Sequence, residues 1–449
     1  MLAVVKKARY FFGVEVVYCT YGAMKIQGSI YMVGIGGIGM SALAQLFVHQ
    51  GRKVSGSDRD ESPVVTMLVQ KGIAVTVGHD QCNIPADCEL LVYSDAVPSS
   101  NTERVRGKEM GIPEMSYFEA LGEVSRGVRT IAVAGTHGKT TTTGMLAKIL
   151  SDAGEEPTAV IGSIVRDFGS NFLPGRPDLL VVEACEYRDH VLKLSPEILV
   201  ITNIELDHTD YFPDLASLLK TFRSAVEKVP ADGFIIANPE LPNVAEVLKG
   251  ARAKIIDYTQ KAVGSLQLIG EFNRENARAA LAAARAAAPS ISQEAAVKSL
   301  SQFQGSWRRF EYRGETPSGA LVYDDYAHHP TAIARTVEAA REKFEGSRIV
   351  VAFHPHLYSR TRDLMQGFAE ALALPDEAIV APIYAAREEP IPGITNHTLA
   401  EAVCEKGGDA HALDSFDLVR DALLREGPDA VIITMGAGDI YKVAEQIAD

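Results

Sequence analysis

Ile131-Ala132-Val133-Ala134-Gly135-Thr136-His137-Gly138-Lys139-Thr140-Thr141-Thr142-Thr143 reads as an apolar strand that enters a glycine-rich turn and opens a helix. Gly135 and Gly138 let backbone N–H groups approach phosphate oxygens. Lys139 adds a compact positive charge, and the Thr140 hydroxyl suits Mg²⁺. The spacing is Gly-x-x-Gly-Lys-Thr, shorter than the general phosphate loop, which asks for glycine where Val133 stands. A turn that only packs a helix on a sheet has no need of Lys-Thr at the helix start. The stretch therefore predicts an α/β unit that holds a nucleoside triphosphate.

Upstream, Gly34-Ile35-Gly36-Gly37-Ile38-Gly39 follows the apolar run Ile30 to Val33, and Asp58 follows a second run, Lys53 to Ser57. Strand, Gly-x-Gly-x-x-Gly, helix and an acid about 20 residues on make a βαβ unit that binds a diphosphate compound. A dinucleotide is the obvious occupant, but the motif does not say which diphosphate it is. Downstream of the phosphate loop, Leu179 to Glu183, Ile198 to Asn203 and Gly233 to Asn238 are short apolar runs ending in polar residues. Ligands in open α/β sheets lie beyond the carboxyl ends of strands, so Glu183, Asn203 and Asn238 are expected at the cleft. An alanine-rich helix from Asn276 to Ala288 closes this unit at Pro289. A third alternation follows through Leu321 to Asp325, Arg348 to Phe353, Glu377 to Ala381 and Ala430 to Thr434. Three consecutive α/β domains result, with mainly parallel sheets: N-terminal Rossmann-like, central P-loop ATPase-like and C-terminal Rossmann-like. Their expected bounds are 24–125, 126–305 and 306–449.

The 449 residues suffice for several cores, and a formal charge of −14 excludes a general binder of nucleic acid or of acidic membrane surfaces. The five cysteines form no C-x-x-C pair, which fits a reducing compartment rather than a disulfide scaffold or a zinc site. No apolar run approaches the ~20 residues of a membrane span. Residues 1–23 are expected to be an extension or a start-site error, with translation beginning at Met24.

Glu183, Glu186 and the run Asn203-Ile204-Glu205-Leu206-Asp207-His208 put oxygen and imidazole ligands at strand ends facing the Lys139 loop. Mg²⁺ favours a few carboxylates together with phosphate and water, so Thr140 suits one ion and Glu183 with His208 a second. Asp324-Asp325-Tyr326-Ala327-His328-His329-Pro330 ends another strand. Adjacent histidine side chains diverge, so this run suits a substrate or nucleotide contact better than a zinc site. In His354-Pro355-His356-Leu357-Tyr358-Ser359-Arg360, Arg360 is expected to clamp a carboxylate through its planar fork. Of Arg308 and Arg309, one is expected at the phosphates and the other as a solvated charge.

Taken in order, Gly-Ile-Gly-Gly-Ile-Gly-Met-Ser, Gly-Thr-His-Gly-Lys-Thr-Thr-Thr-Thr, Glu-Ala-Cys-Glu-Tyr-Arg-Asp-His, Thr-Asn-Ile-Glu-Leu-Asp-His, Arg-Arg-Phe-Glu, Asp-Asp-Tyr-Ala-His-His-Pro-Thr, Pro-His-Leu-Tyr-Ser-Arg-Thr and Ala-Arg-Glu-Glu-Pro-Ile-Pro-Gly closely resemble the Mur ligase family from Met24 to Asp449. The resemblance implies a cytoplasmic, Mg²⁺-dependent, ATP-driven ligase of peptidoglycan precursors, monomer or homodimer, acting on UDP-N-acetylmuramate and L-alanine. By the same likeness Gly34, Gly36, Gly37, Ile38, Gly39, Ser57 and Asp58 contact the UDP sugar. Gly135, Thr136, His137, Gly138, Lys139, Thr140, Thr141, Asn203, Asn273, Asn276, Arg309 and Asp325 contact ATP. Thr140, Glu183 and His208 ligate Mg²⁺. His328, His356 and Arg360 hold the amino acid, and Lys139, Glu183, His208 and His328 carry the chemistry.

Three departures accompany the likeness. The family's Gly-x-His-Asn reads Gly270-Glu271-Phe272-Asn273, Leu357 stands at a commonly basic position, and the stretch from Asn238 to Gly270 is short. A ligase that recycles a murein tripeptide onto the same sugar is the nearest alternative. The others are a nucleotide-binding regulator without turnover and a dehydrogenase using the first glycine loop, which would leave the Lys139 loop unexplained.

Overall fold

The computed structural model describes residues 8–11, 14–17, 28–386 and 388–448. Strands Ala8–Phe11 and Val14–Val17 pair antiparallel, and the expected start at Met24 lies outside the described residues. Three further sheets follow along the chain.

The first sheet is wholly parallel, in the order Ala74–Val77, Val54–Asp58, Ser29–Val33, Cys88–Tyr93, Glu114–Ser116. Its central strand is buried throughout, which suits a run with no polar alternation, because helices cover both faces. Helix Ile38–His49 starts at Gly37 with no side-chain cap, so its first N–H groups are free to meet an anion.

The central sheet has seven strands, in the order Ser170–Leu173, Pro157–Val165, Arg176–Glu183, Arg129–Ala134, Ile198–Ile201, Phe234–Ala237, Lys254–Asp257. The strand feeding the phosphate loop thus lies between those ending at Glu183 and Ile201. Helix Lys139–Asp152 packs against Glu271–Ala287, whose buried Ala279 to Ala284 permit a close approach. That second helix begins five residues before the expected Asn276, so Asn273 sits in its first turn.

Not every pairing is parallel. Ser170–Leu173 runs antiparallel to Pro157–Val165, and this hairpin docks helix Ile38–His49. Asn171 Nδ2 donates to Ile38 O (2.5 Å) and Ser41 Oγ (2.8 Å), and its Oδ1 accepts from Gln45 Nε2 (3.0 Å). The third sheet runs Glu311–Glu315, Leu321–Asp325, Ala430–Met435, Arg348–Phe353, Glu377–Val380, Ala410–Ala412, antiparallel only at its first pair. Its entry is tied to the central sheet where Trp307 N–H donates to Ile164 O (2.8 Å) and Ser163 Oγ donates to Trp307 O (2.9 Å).

Candidate active site

Gly138 sits at φ +82°, and a Cβ there would come within 2.1 Å of Asn276 Oδ1, so conformation and space both demand glycine. Asn203 clamps the loop from the other side. Its Oδ1 accepts from His137 N–H (2.9 Å) and its Nδ2 donates to His137 O (3.1 Å), which commits the amide to shaping the loop. Asn276 accepts from Thr142 Oγ1 and donates to Asn273 Oδ1, both at 3.3 Å. Asn238, expected at the cleft, instead accepts from Glu240 N–H on its own turn (2.9 Å).

Lys139 Nζ donates to Gly135 O, Thr136 O and both oxygens of Glu186. Burial opposes its charge, but the neighbouring Glu186, with Cys185 and Glu183, holds its pKa above the usual lysine value. Thr140 Oγ1 donates to Glu183 Oε1 (3.1 Å), and Glu183 Oε2 accepts from Gly162 N–H (2.8 Å). Arg309 Nη2 donates to Thr140 Oγ1 (3.1 Å), while its Nε is buried without a hydrogen-bond partner. That leaves a donor over the loop for an anionic oxygen. His208 stands at φ +55° with Nε2 3.7 Å from Glu186 Oε1. Thr140 and Glu183 set a hydroxyl and a carboxylate side by side, oxygen donors of the kind Mg²⁺ takes together with phosphate and water, while Glu186 is engaged by Lys139 and His208 stands beside Glu186.

Two cavities adjoin at this point. One of about 270 Å³ is lined by the phosphate loop, Phe272, Asn273, Asn276 and Arg335. The other, of about 560 Å³, reaches from Gly37, Ile38 and Gly39 to Gly438. Thr140, Glu183, Cys185, Arg309 and Tyr326 belong to both walls. Phe272, at the position where the resemblance expects a histidine, lines the smaller cavity.

The C-terminal sheet adds the other half of the site. Asp325 accepts from Phe310 N–H and Ala327 N–H (both 2.7 Å), and burial pushes its pKa up to about 6 against the pull of Arg309. Arg308 is not a solvated charge. It is 3% exposed, pairs with Asp324 at 2.7 Å and donates to Gly438 O and Gly436 O, so it braces the rim of the larger cavity. His328 Nδ1 lies 2.8 Å from Tyr326 O. A carbonyl only accepts, so Nδ1 carries the hydrogen and Nε2 the lone pair. Burial, then Arg360, hold this imidazole neutral well below the usual histidine range. Arg360 is buried, with Nε and Nη2 on Asp207 Oδ1 (3.1 and 2.8 Å) and Nη1 3.2 Å from His356 Nδ1. Leu357 is 2% exposed at φ +71° and gives the pocket no charge.

In the first domain Asp58 Oδ2 accepts from Gly36 N–H (2.8 Å), which fixes the glycine loop. Ser57 is fully buried and its hydroxyl donates to Glu103 Oε2 (2.6 Å), so it supports the strand end rather than facing the cavity. Sequence reading missed Glu103, a fully buried carboxylate that also accepts from Tyr31 (2.8 Å) and Asn83 (2.8 Å). It also missed Tyr326, although the run around Asp325 was the signal for it.

Comparison with known proteins agrees with this architecture. Residues 29–129 match the Mur ligase family, catalytic domain; 133–264 match the Mur ligase middle domain; 308–438 match the Mur ligase, glutamate ligase domain. The UDP-N-acetylmuramate–L-alanine ligase of Caldicellulosiruptor saccharolyticus is 36% identical, over 93% of this chain and 98% of its own. That of Agathobacter rectalis is also 36% identical, over 93% and 97%. The crystal structure of the UDP-N-acetylmuramate-alanine ligase of Thermotoga maritima superposes with a TM-score of 0.77 at 26% identity, covering 94% of this chain and 98% of that one. A murein peptide ligase from Psychrobacter arcticus gives 0.70 at 25% identity, over 94% and 100%. With all three family domains present in order and this identity over nearly the whole chain, the protein belongs to the Mur ligase family.

Proposed function

We propose that this protein joins L-alanine to UDP-N-acetylmuramate at the expense of ATP, as a step in making peptidoglycan precursors. The observation that carries the reading is the wall shared by the two cavities. A nucleotide in the smaller cavity and a sugar nucleotide reaching from the Gly37 helix would meet at Thr140 and Glu183. The relatives' names supply the reactants, and the donor set supplies the means. With ATP and a UDP sugar as substrates, the reaction belongs in the cytoplasm, and no helix among the described residues is long and apolar enough to cross a membrane.

The sugar's lactyl carboxylate attacks the γ-phosphorus of ATP, and ADP leaves. The amine of alanine then attacks the acyl carbon of the resulting acyl phosphate, inorganic phosphate departs, and the amine loses a proton. Lys139 and Arg309 offset charge on the phosphoryl oxygens, and Phe272 offers the adenine a stacking face. Thr140, Glu183 and His208 would hold Mg²⁺, which supplies further neutralisation of phosphate charge. His328 Nε2, a lone pair on a neutral ring, is the candidate acceptor for the amine proton. Arg360 and His356 are the contacts assigned to the amino acid, on the strength of the family likeness. UDP-sugar contact rests on Gly37, Ile38 and Gly39, with Gly34, Gly36 and Asp58 shaping the loop.

Release of phosphate from ATP, measured with UDP-N-acetylmuramate and in turn L-alanine, glycine, L-serine or the cell-wall tripeptide, tests the reading. Strong preference for L-alanine is expected. Preference for the tripeptide would transfer the chain to the recycling reaction, and no release with any acceptor would end the ligase reading.

A further inference from the structure

His137, Glu205 and His329 bring three ligand atoms within 4.8 Å of one another, a group that stands alone of its kind among the described residues. Glu205 Oε2 lies 3.4 Å from His137 Nε2 and 3.9 Å from His329 Nδ1. The rings are 4.7 Å apart and inclined at 50°, so they do not stack. His137 Nε2 is buried and makes no hydrogen bond. His329 Nε2 lies 3.2 Å from Leu206 O, which can only accept, so Nε2 carries the hydrogen and Nδ1 presents its lone pair toward Glu205. A backbone carbonyl fixing the far nitrogen is how ligating histidines are commonly oriented. The competing contact at Nδ1 is a long one, 3.3 Å from Thr331 N–H.

We propose that His137, Glu205 and His329 form a site for a transition-metal dication of the Zn²⁺ type, separate from the Mg²⁺ ligands Thr140 and Glu183. Zn–N and Zn–O bonds of about 2.0–2.2 Å in a tetrahedron set ligand atoms roughly 3.3–3.6 Å apart. The edges from Glu205, 3.4 and 3.9 Å, lie at or a few tenths of an ångström above this range, and the edge between the two histidines, within 4.8 Å, closes by a rotation of the rings toward the ion. Two imidazoles and one carboxylate favour zinc, cobalt or nickel over Mg²⁺, and three protein ligands leave a fourth position for water. The adjacent His328 turns away to Tyr326 O, so only one of the histidine pair takes part.

The placement gives the site a consequence. His137 belongs to the phosphate loop and Glu205 to the segment after Ile201, while His329 caps helix Pro330–Lys343 of the C-terminal domain. A dication held by all three ties that domain to the phosphate loop and resists its opening, because the ligand set exists only while the two face each other.

The test uses the full chain stripped of metal and titrated with Co²⁺ in excess Mg²⁺, with visible absorption as the readout. One Co²⁺ per chain with the bands of a four-coordinate site is expected, displaced by Zn²⁺. Glu205→Gln and His329→Asn should each weaken binding at least tenfold, whereas Glu183→Gln should leave it unchanged. Asparagine is a good helix cap, so His329→Asn keeps the fold of that helix while removing the ring, and it carries the test if Glu205→Gln fails to fold. Zn²⁺ should also raise the melting temperature of the parent chain and not that of His329→Asn. Absence of the bands, their persistence in His329→Asn, their loss in Glu183→Gln, or intense thiolate absorption from the exposed Cys82 or Cys404 would each overturn the proposal.

Discussion

Lys139 Nζ lies 3.0 and 2.9 Å from the two carboxylate oxygens of Glu186, a residue only 1% exposed. The pair gives Lys139 two roles that mutation can separate. Lys139→Ala strands a buried carboxylate, which costs about 3–5 kcal/mol of stability. It also removes a preorganised charge from the phosphoryl group, a loss above ~2 kcal/mol in transition-state stabilisation. Combining it with Glu186→Gln should restore most of the thermal stability and none of the turnover, with UDP-sugar binding nearly intact. Turnover recovered in the double variant would remove Lys139 from the chemistry.

Glu183 is held between Thr140 and Gly162, and a Cβ on Gly162 would come within 2.3 Å of Glu183 Oε2. Glu183→Ala should lower kcat strongly while weakening ATP binding only modestly, and raised Mg²⁺ should rescue it in part. Gly162→Ala keeps the carboxylate but displaces it, so it should reproduce the kcat loss in milder form. Titration of ATP binding by calorimetry beside steady-state rates separates the outcomes. A collapse of ATP affinity with kcat preserved would assign Glu183 to nucleotide binding alone.

Strand and helix order was legible where the buried strands are apolar runs, as at Ile198–Ile201, and where a glycine loop follows the strand, as after Val33 and Ala134. Glu183 could be placed at the cleft from its position at a strand end. The hairpin of Pro157–Val165 with Ser170–Leu173 was not legible, since its antiparallel pairing serves to dock helix Ile38–His49 from another domain. Arg308 and Arg309 are neighbours in sequence, yet one is spent on Asp324 and the other reaches Thr140. Only three-dimensional packing distinguishes them. The bond of Ser57 to Glu103 was hidden for a similar reason, because the two lie 46 residues apart in sequence.

Acid should expose the contribution of Glu205. Burial alone would raise its pKa, but His137 and Thr331 facing it, with His329, bring it down to about 2. A depressed carboxylate stabilises the fold fully above its unfolded value near 4.5, and the contribution is lost as pH falls toward 2. Its side chain is 31% exposed, so solvent screening reduces the effect. Roughly 1–2 kcal/mol at neutral pH is expected. Urea unfolding of the parent chain and Glu205→Gln at a series of pH values should show a gap in stability that narrows below about pH 4.5. A gap independent of pH would assign the loss to packing.

Asp207 and Arg360 are 153 residues apart in sequence and follow strands of different sheets, yet both are buried and paired at 2.8 Å. Burial would raise the pKa of Asp207, but Arg360, with His208, His328 and His329, holds it well below the usual carboxylate range. The arginine expected to clamp the amino-acid carboxylate is thus already oriented by a protein carboxylate, with Nη1 turned toward His356. If Arg360 receives the substrate, Asp207 aims the guanidinium while leaving part of its fork for the ligand. Arg360→Lys should then raise the KM for the amino acid at least tenfold and leave the KM values for ATP and UDP-N-acetylmuramate near their parent values, because an ammonium cannot reproduce two parallel hydrogen bonds. Asp207→Asn keeps the shape and releases the guanidinium from its partner charge, so it should shift the same KM with kcat less affected. A purely structural tie between domains makes the opposite forecast: both variants would lower the melting temperature and leave the three KM values in their original ratio. Steady-state kinetics with each substrate varied in turn, beside thermal melts, decide between the two, and an unchanged amino-acid KM would move the carboxylate contact to His328 or His356.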